Sequence, residues 1–345
     1  MNDTYDFIVI GAGISACTFA SFLNKRFSDA SILLVENGRR IGGRATTRKS
    51  RKDKIIQFDH GLPSISFSKY ISQDIQSLIS PLINSKKLVD ISNDILIINE
   101  FGEINNLCTN YINYRSLPFM INFSEEIINQ SINPKKINFL FRTLIKSIKR
   151  KNNLWYIQVK KESFIKSKNL ILSSSLIAHP RCLKILQIKS IPLRDALIQG
   201  EDELVDCVLS EVRKQKYISR KTYIFHIPNL AIVKIFIQQY LQIRFSDVIR
   251  DDINFERIIF QKQSDGSMII ALHCFYIDNP ININTDYIIK SLLSIFVNYQ
   301  MFLDLFLQAK LIDKMDWRAS QPFNHLLRKE LQWSSISNIG FCGDW

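Results

Sequence analysis

Residues 5–27, "YDFIVIGAGISACTFASFLNKRF", run from a short apolar strand (Phe7–Ile10) through a glycine turn into a helix. Gly11, Gly13, Ser15 and Ala16 belong to the turn, and Ala16, Phe19, Ala20 and Leu23 then recur at helical spacing. "ASILLVE" (30–36) follows as a second buried strand ending in Glu36. Strand, glycine turn, helix and strand in this order open a βαβ dinucleotide fold. The glycines permit a tight turn and let a pyrophosphate approach the backbone at the positive helix N-terminus. Ala16 stands where the third glycine of the fingerprint is usual, a position that accepts Gly or Ala. Glu36, about 20 residues further on, is where an acid accepts hydrogen bonds from an adenosine ribose. Its charge repels a 2′-phosphate, which disfavours NADP. These elements leave NAD and FAD both open.

Residues 38–47, "GRRIGGRATT", narrow the choice. Paired glycines bare the backbone, and arginines bring fixed positive charge suited to a diphosphate. Glu36 followed by Arg40, Gly42, Gly43, Arg44 and Thr46 resembles the second FAD fingerprint of the flavin amine oxidase superfamily. In that family the segment wraps the diphosphate and ribityl chain beside the isoalloxazine. "IIQFDHGLPSIS" (55–66) extends the likeness: Phe58-Asp59-His60-Gly61 is similar to a segment of renalase-like members that runs beside the flavin ring. His60 is read either as a neighbour of that ring or as a structural hydrogen-bonding residue. The resemblance implies FAD contacts from Gly11, Gly13, Ser15, Ala16, Glu36, Asn37, Arg40, Gly42, Gly43, Arg44, Gly61, Pro63, Ser64, Gly343 and Asp344.

Further along, "KRKNNLWYIQVKK" reads as a hairpin turning at Lys151–Asn153, with Trp155 in its core. "KNLILSSSLIAHP" is a buried strand ending in small residues before Pro180. Strands are expected around 204–210, 222–236 and 256–275, then one long amphipathic helix over 286–309. His273, in "GSMIIALHCF", stands on a strand where renalase-like proteins often have a histidine; a satisfied sheet histidine is the alternative. "DWRASQP" and "NIGFCGDW" (316–322 and 338–345) resemble the segments with which the family closes its flavin site. Family members continue from that Gly-Asp turn into a helix, whereas this sequence ends at Trp345. The expectation drawn from that is weaker FAD binding, a solvent-open flavin and slow or absent turnover.

The fold class expected is α/β: an FAD-binding, Rossmann-like (glutathione reductase-type) domain with an inserted α+β substrate domain. The expected boundaries are 1–75, 136–178 and 312–345 for the first, and 76–135 and 179–311 for the second. The chain has 345 residues, 46 % hydrophobic and 22 % charged, ordinary for a globular protein able to bury a large core. A formal charge of +13 raises nucleic acid as a partner, but the basic residues are spread out, with dense runs only at 44–54 and 146–151. A solvated basic surface is the reading adopted, with no nucleic-acid partner. The cysteines at 17, 108, 182, 207, 274 and 342 form no CxxC and no finger spacing, which argues against zinc and fits a reducing cytoplasm. Apolar stretches are broken before membrane-spanning length, so no membrane span is expected. The functional expectation is an FAD-dependent, renalase-like oxidoreductase that accepts hydride from a small-molecule substrate such as a reduced nicotinamide isomer. The alternatives are a flavin-binding protein without turnover, or an amine oxidase or desaturase. No catalytic residue is named.

Overall fold

A computed structural model describes residues 4–50, 56–107, 109–160, 162–236, 238–275, 284–324 and 326–345. The chain forms two compact units: residues 1–44, 121–217 and 321–345 make the first, and 45–120 and 218–320 the second. Residues 45–75 and 312–320, expected in the cofactor domain, fall in the second unit, and 121–135 and 179–217, expected in the substrate domain, in the first.

The first unit is organised by an eight-stranded sheet. Strand β1 (Thr4–Ile10) leads through the glycine turn into helix α1 (Ile14–Arg26), which returns to strand β2 (Ile32–Val35). β1 pairs in parallel with β2 on one side and with strand Ser163–Leu172 on the other. Strand Ile137–Leu140 extends the parallel set beyond β2, and Ile339–Phe341 pairs in parallel with Ser163–Leu172. All four residues of β2 are buried, as a strand covered on both faces requires. α1 packs through small residues, with Ala16, Cys17 and Ala20 fully buried. The Trp155 hairpin forms as read: Ile148–Lys151 pairs with Leu154–Lys160 across Asn152 and Asn153, both at positive φ. Trp155 is buried, and its indole N–H donates to Ser337 O at 2.9 Å and Asn338 O at 3.2 Å.

The second unit holds a seven-stranded sheet ordered 310–322, 217–227, 268–275, 255–262, 240–245, 95–98 and 104–106. One face is apolar, with Tyr223, Phe225, Ile243, Ile258, Phe260, Ile270 and Leu272 packed with residues of two helices, Thr285–Ile295 and Gln300–Gln308.

Three expected elements are corrected. Residues 204–210 are helical, within Glu203–Lys214. Val205, Val208 and Val212 supply a helical stripe, and Asp202 caps the N-terminus by accepting from Val205 N. The strand expected over 222–236 stops at Ile227, since Pro228 cannot donate to a ladder, and Ala231–Ile235 is a short helix. The single helix over 286–309 is two, because ending the first at Ile295 lets Phe296 turn onto Phe302 and Phe306, at ring distances of 5.0 and 5.3 Å.

Replacing Trp155 tests the first core. Trp155→Ala is expected to lower unfolding stability by about 3–5 kcal/mol in urea titrations. Trp155→Phe keeps most of the volume but strands two carbonyls, and is expected to cost about 1–3 kcal/mol. A midpoint for Trp155→Phe equal to that of the unaltered protein would show that the indole N–H carries no weight.

Candidate functional site

The site begins where β1 ends. Gly11 takes φ +112°, and its N–H donates to Val35 O at 2.8 Å, which ties the turn to the end of β2. The segment after Glu36 then returns to this turn. Gly42 N donates to Ala12 O at 2.8 Å, forming a parallel bridge between Gly13 and Gly42. Gly43 sits at φ +56°, and a Cβ there would stand 2.9 Å from Gly13 Cα. Gly43 is therefore held to glycine by both its φ and its contact, whereas a Cβ on Gly13 would meet Gly43 Cα at an ordinary 3.8 Å.

Glu36 locks the same arrangement electrostatically. Its carboxylate accepts from Ala12 N at 2.9 Å and from Gly38 N at 2.6 Å. Each carboxylate oxygen keeps a further lone pair for a ligand hydroxyl. Helix α1 opens from Gly13 without a side-chain cap and without an acid in its first turn, so its leading N–H groups and its dipole are left for an anion. Gly343, at φ +109°, lies beside Ser15: a Cβ would meet Ser15 Oγ at 3.4 Å. Arg44 pairs with Asp344 at 2.6 Å, both side chains nearly half exposed.

A pocket of about 460 Å³, counted to its open mouth, extends from this turn. Gly11, Glu36 and Asn37 line it together with Thr143, Leu144, Ile145, Ser174, Leu176 and Ile177. Sequence reading missed the last six; for Ser174, Leu176 and Ile177 the small residues at 173–175 that end a buried strand were the signal. The structure thus gathers Gly11, Gly13, Ser15, Ala16, Glu36, Asn37, Gly42, Gly43, Arg44, Gly343 and Asp344 in the first unit; Arg40 is there too, exposed. Gly61, Pro63 and Ser64 belong to the second unit. Burial pushes the Cys17 thiol up to about 12 and that of Cys342 to about 11, so both pack as neutral thiols.

In the second unit the segment Phe58–His60 is held rigidly. Asp59 accepts from Thr47 Oγ1 at 2.6 Å, Arg115 Nη2 at 2.8 Å and Met120 N at 3.1 Å. Gln261 clasps the Asp59 backbone with both ends of its amide, at 3.0 and 2.9 Å. His60 Nδ1 lies 3.1 Å from Thr46 O, and its ring sits 5.4 Å from that of Trp317. Burial pulls His60 down to about 4 and His273 to about 3, so both are neutral at pH 7.

Residues 9–80 match the family model described as an NAD(P)-binding Rossmann-like domain. No curated protein matches the chain. Solved structures do. A CLA-producing fatty acid isomerase from P. acnes aligns with a TM-score of 0.60 at 10 % identity, over 99 % of this chain and 94 % of that one. A putrescine oxidase bound to putrescine aligns at 0.59 and 10 %, over 98 % and 93 %. The tetracycline destructase Tet(51) aligns at 0.50 and 15 %, over 100 % and 74 %. At such identities what is shared is the fold: a mixed α/β protein built on a Rossmann-like dinucleotide domain.

The buried histidines set a pH dependence. Between pH 6.5 and 5 the unfolded chain binds protons that folded His60 and His273 refuse, so stability falls as pH falls through that window. Each contributes up to about 2 kcal/mol at pH 5. Urea midpoints are expected to drop from pH 7 to 5 and to flatten in a His60→Gln, His273→Gln double variant. An unchanged slope in that variant would assign the effect elsewhere.

Proposed function

We propose that this chain is an FAD-dependent oxidoreductase of the amine oxidase superfamily, renalase-like, which takes hydride from a small reduced substrate. The observation that carries the reading is the contact of Gly13 with Gly43, beside an uncapped helix N-terminus and an arginine. A bare ledge of backbone N–H groups with positive charge at its rim fits a diphosphate, and the pocket at Glu36 suits an adenosine. The NAD(P)-binding family match spans both sides of the ledge, from Gly11 to Arg44; within it, the Arg40–Arg44 segment, with its FAD-fingerprint spacing, favours FAD over NAD. The oxidase and isomerase neighbours share the whole fold and support the same reading.

In this proposal the first unit is the cofactor domain. Gly11, Gly13, Ser15 and Ala16 offer the turn and helix N-terminus to the diphosphate, with Gly42, Gly43 and Arg44 closing from the other side. Glu36 orients the ribose, with Asn37 beside it, and Gly343 and Asp344 border the same ledge. Bound FAD supplies the hydride-accepting chemistry. The second unit is the substrate domain, where Asp59, Arg115 and Gln261 keep the His60 segment from moving. Neutral His60 and His273 hold hydrogen-bonding atoms near pH 7 without adding charge.

The purified protein is expected to be yellow, and anaerobic addition of a reduced nicotinamide isomer to bleach it. Arg44→Ala is expected to weaken FAD binding roughly 10- to 150-fold, toward the lower end because Asp344 already shares the guanidinium. Unchanged flavin affinity in Arg44→Ala, measured by fluorescence titration, would contradict its place at the diphosphate.

A further inference from the structure

The face of the seven-stranded sheet opposite its helices carries a polar row that the cofactor reading does not use. Strand registers set Thr222 opposite His273, His273 opposite Arg257, and Arg257 opposite Arg244. Directly opposed residues project to one face, so these four side chains form a line across four strands. Trp317 lengthens it, its indole N–H donating to Thr222 Oγ1 at 3.1 Å, and His60 lies against Trp317.

Two like charges directly opposed in a sheet repel, and here the neighbourhood does not balance them. Glu256 is the carboxylate at the row, and it is already shared: Arg220 Nε reaches it at 2.5 Å, and Arg257 pairs with it as well. Three guanidiniums thus face one carboxylate. Among the described residues Arg244 has no ion-pair or hydrogen-bond partner, and its buried Nε is unsatisfied. Arg257 Nε and His273 Nε2 are likewise buried and unpartnered. Burial, then Arg257, weighs against the Arg244 charge. Unpaired donors and surplus positive charge on one line describe a site completed by an anion.

We propose that this row binds the acid group of the substrate, a carboxylate or phosphate on a planar organic molecule, with Arg244 and Arg257 as counter-charges and Trp317 and His60 beside the ring. The inference rests on reading the second unit as the substrate domain. It makes the substrate an organic anion and separates it from a cationic amine, which the two arginines repel.

Calorimetric titration of the purified protein at low chloride tests this with three ring compounds: benzoate, phenyl phosphate and the uncharged benzamide. At least one of the two anions is expected to bind tenfold or more tightly than benzamide, and the tighter anion reports which acid group is preferred. Arg244→Gln is expected to weaken anion binding roughly 10- to 150-fold and to leave benzamide unchanged. Without anion, Arg244→Gln is expected to keep or raise the melting temperature, since it removes an opposed like charge; an arginine that merely supports the sheet would lower it. Arg257→Gln breaks the pair with Glu256, so Arg244→Gln decides should that variant unfold. Anion affinity equal to that of benzamide, or insensitive to Arg244→Gln, overturns the proposal. The visible spectrum of the same samples reports separately on flavin. Colourless protein that prefers the anions supports the row and contradicts the oxidoreductase reading, whereas yellow protein without the preference overturns the row alone.

Discussion

The contact between Gly13 and Gly43 is the constraint on which the candidate cofactor site depends. The two backbones meet so closely that a Cβ on Gly43 would lie 2.9 Å from Gly13 Cα. That approach draws residues 36–44 onto the turn between β1 and α1, and Glu36 bonds both sides through Ala12 N and Gly38 N. The product is a ledge of backbone donors at the start of an uncapped helix, with glycine where side chains would fill the space. Electrostatics follows from the same geometry. The helix dipole and Arg44 favour an anion along the ledge, while Glu36 suits hydroxyls at its far end.

The second unit applies the opposite device. Its sheet buries one face in a dense aromatic cluster, where Phe260, Phe296, Phe302 and Phe306 approach within 5.0 to 6.4 Å of one another. With that face committed to stability, the other can carry groups that cost stability, among them neutral histidines, opposed arginines and unsatisfied nitrogens. Asp59 is a buried carboxyl with three donors, Thr47, Arg115 and Met120 N, although burial still pushes its pKa up and Arg115 Nε is left without a partner. What sets the arginine row apart is the direct opposition of Arg244 and Arg257, and that opposition is the ground on which a ligand is proposed there.

Much of the first unit was legible because its signals are local. The glycine turn, the apolar runs of β1 and β2 and the asparagine turn at 152–153 each need only a few neighbouring residues. The second unit was harder. Residues 204–210 carry valines that suit either period over a short window, and only Asp202 as a cap and the spacing out to Val212 decide for a helix. The break at Ile295 depends on phenylalanines converging in space, which no window shows. Thr143 and Ser174 reach the Glu36 pocket through strand order, and the Arg244–Arg257 opposition exists only once the register is known. Residues 51–54 and Cys108, which entered the charge and cysteine reading, lie outside the described residues.

The central claim, that the Gly13–Gly43 ledge holds the diphosphate of FAD, is tested most directly by comparing Gly43→Ala with Gly200→Ala. Both glycines have positive φ, +56° and +89°, so alanine strains the backbone at each, but a Cβ at Gly200 meets nothing within 4 Å. Equilibrium FAD titration of the two purified variants is expected to show affinity reduced tenfold or more for Gly43→Ala and unchanged for Gly200→Ala. FAD affinity equal to that of the unaltered protein in folded Gly43→Ala would contradict the account.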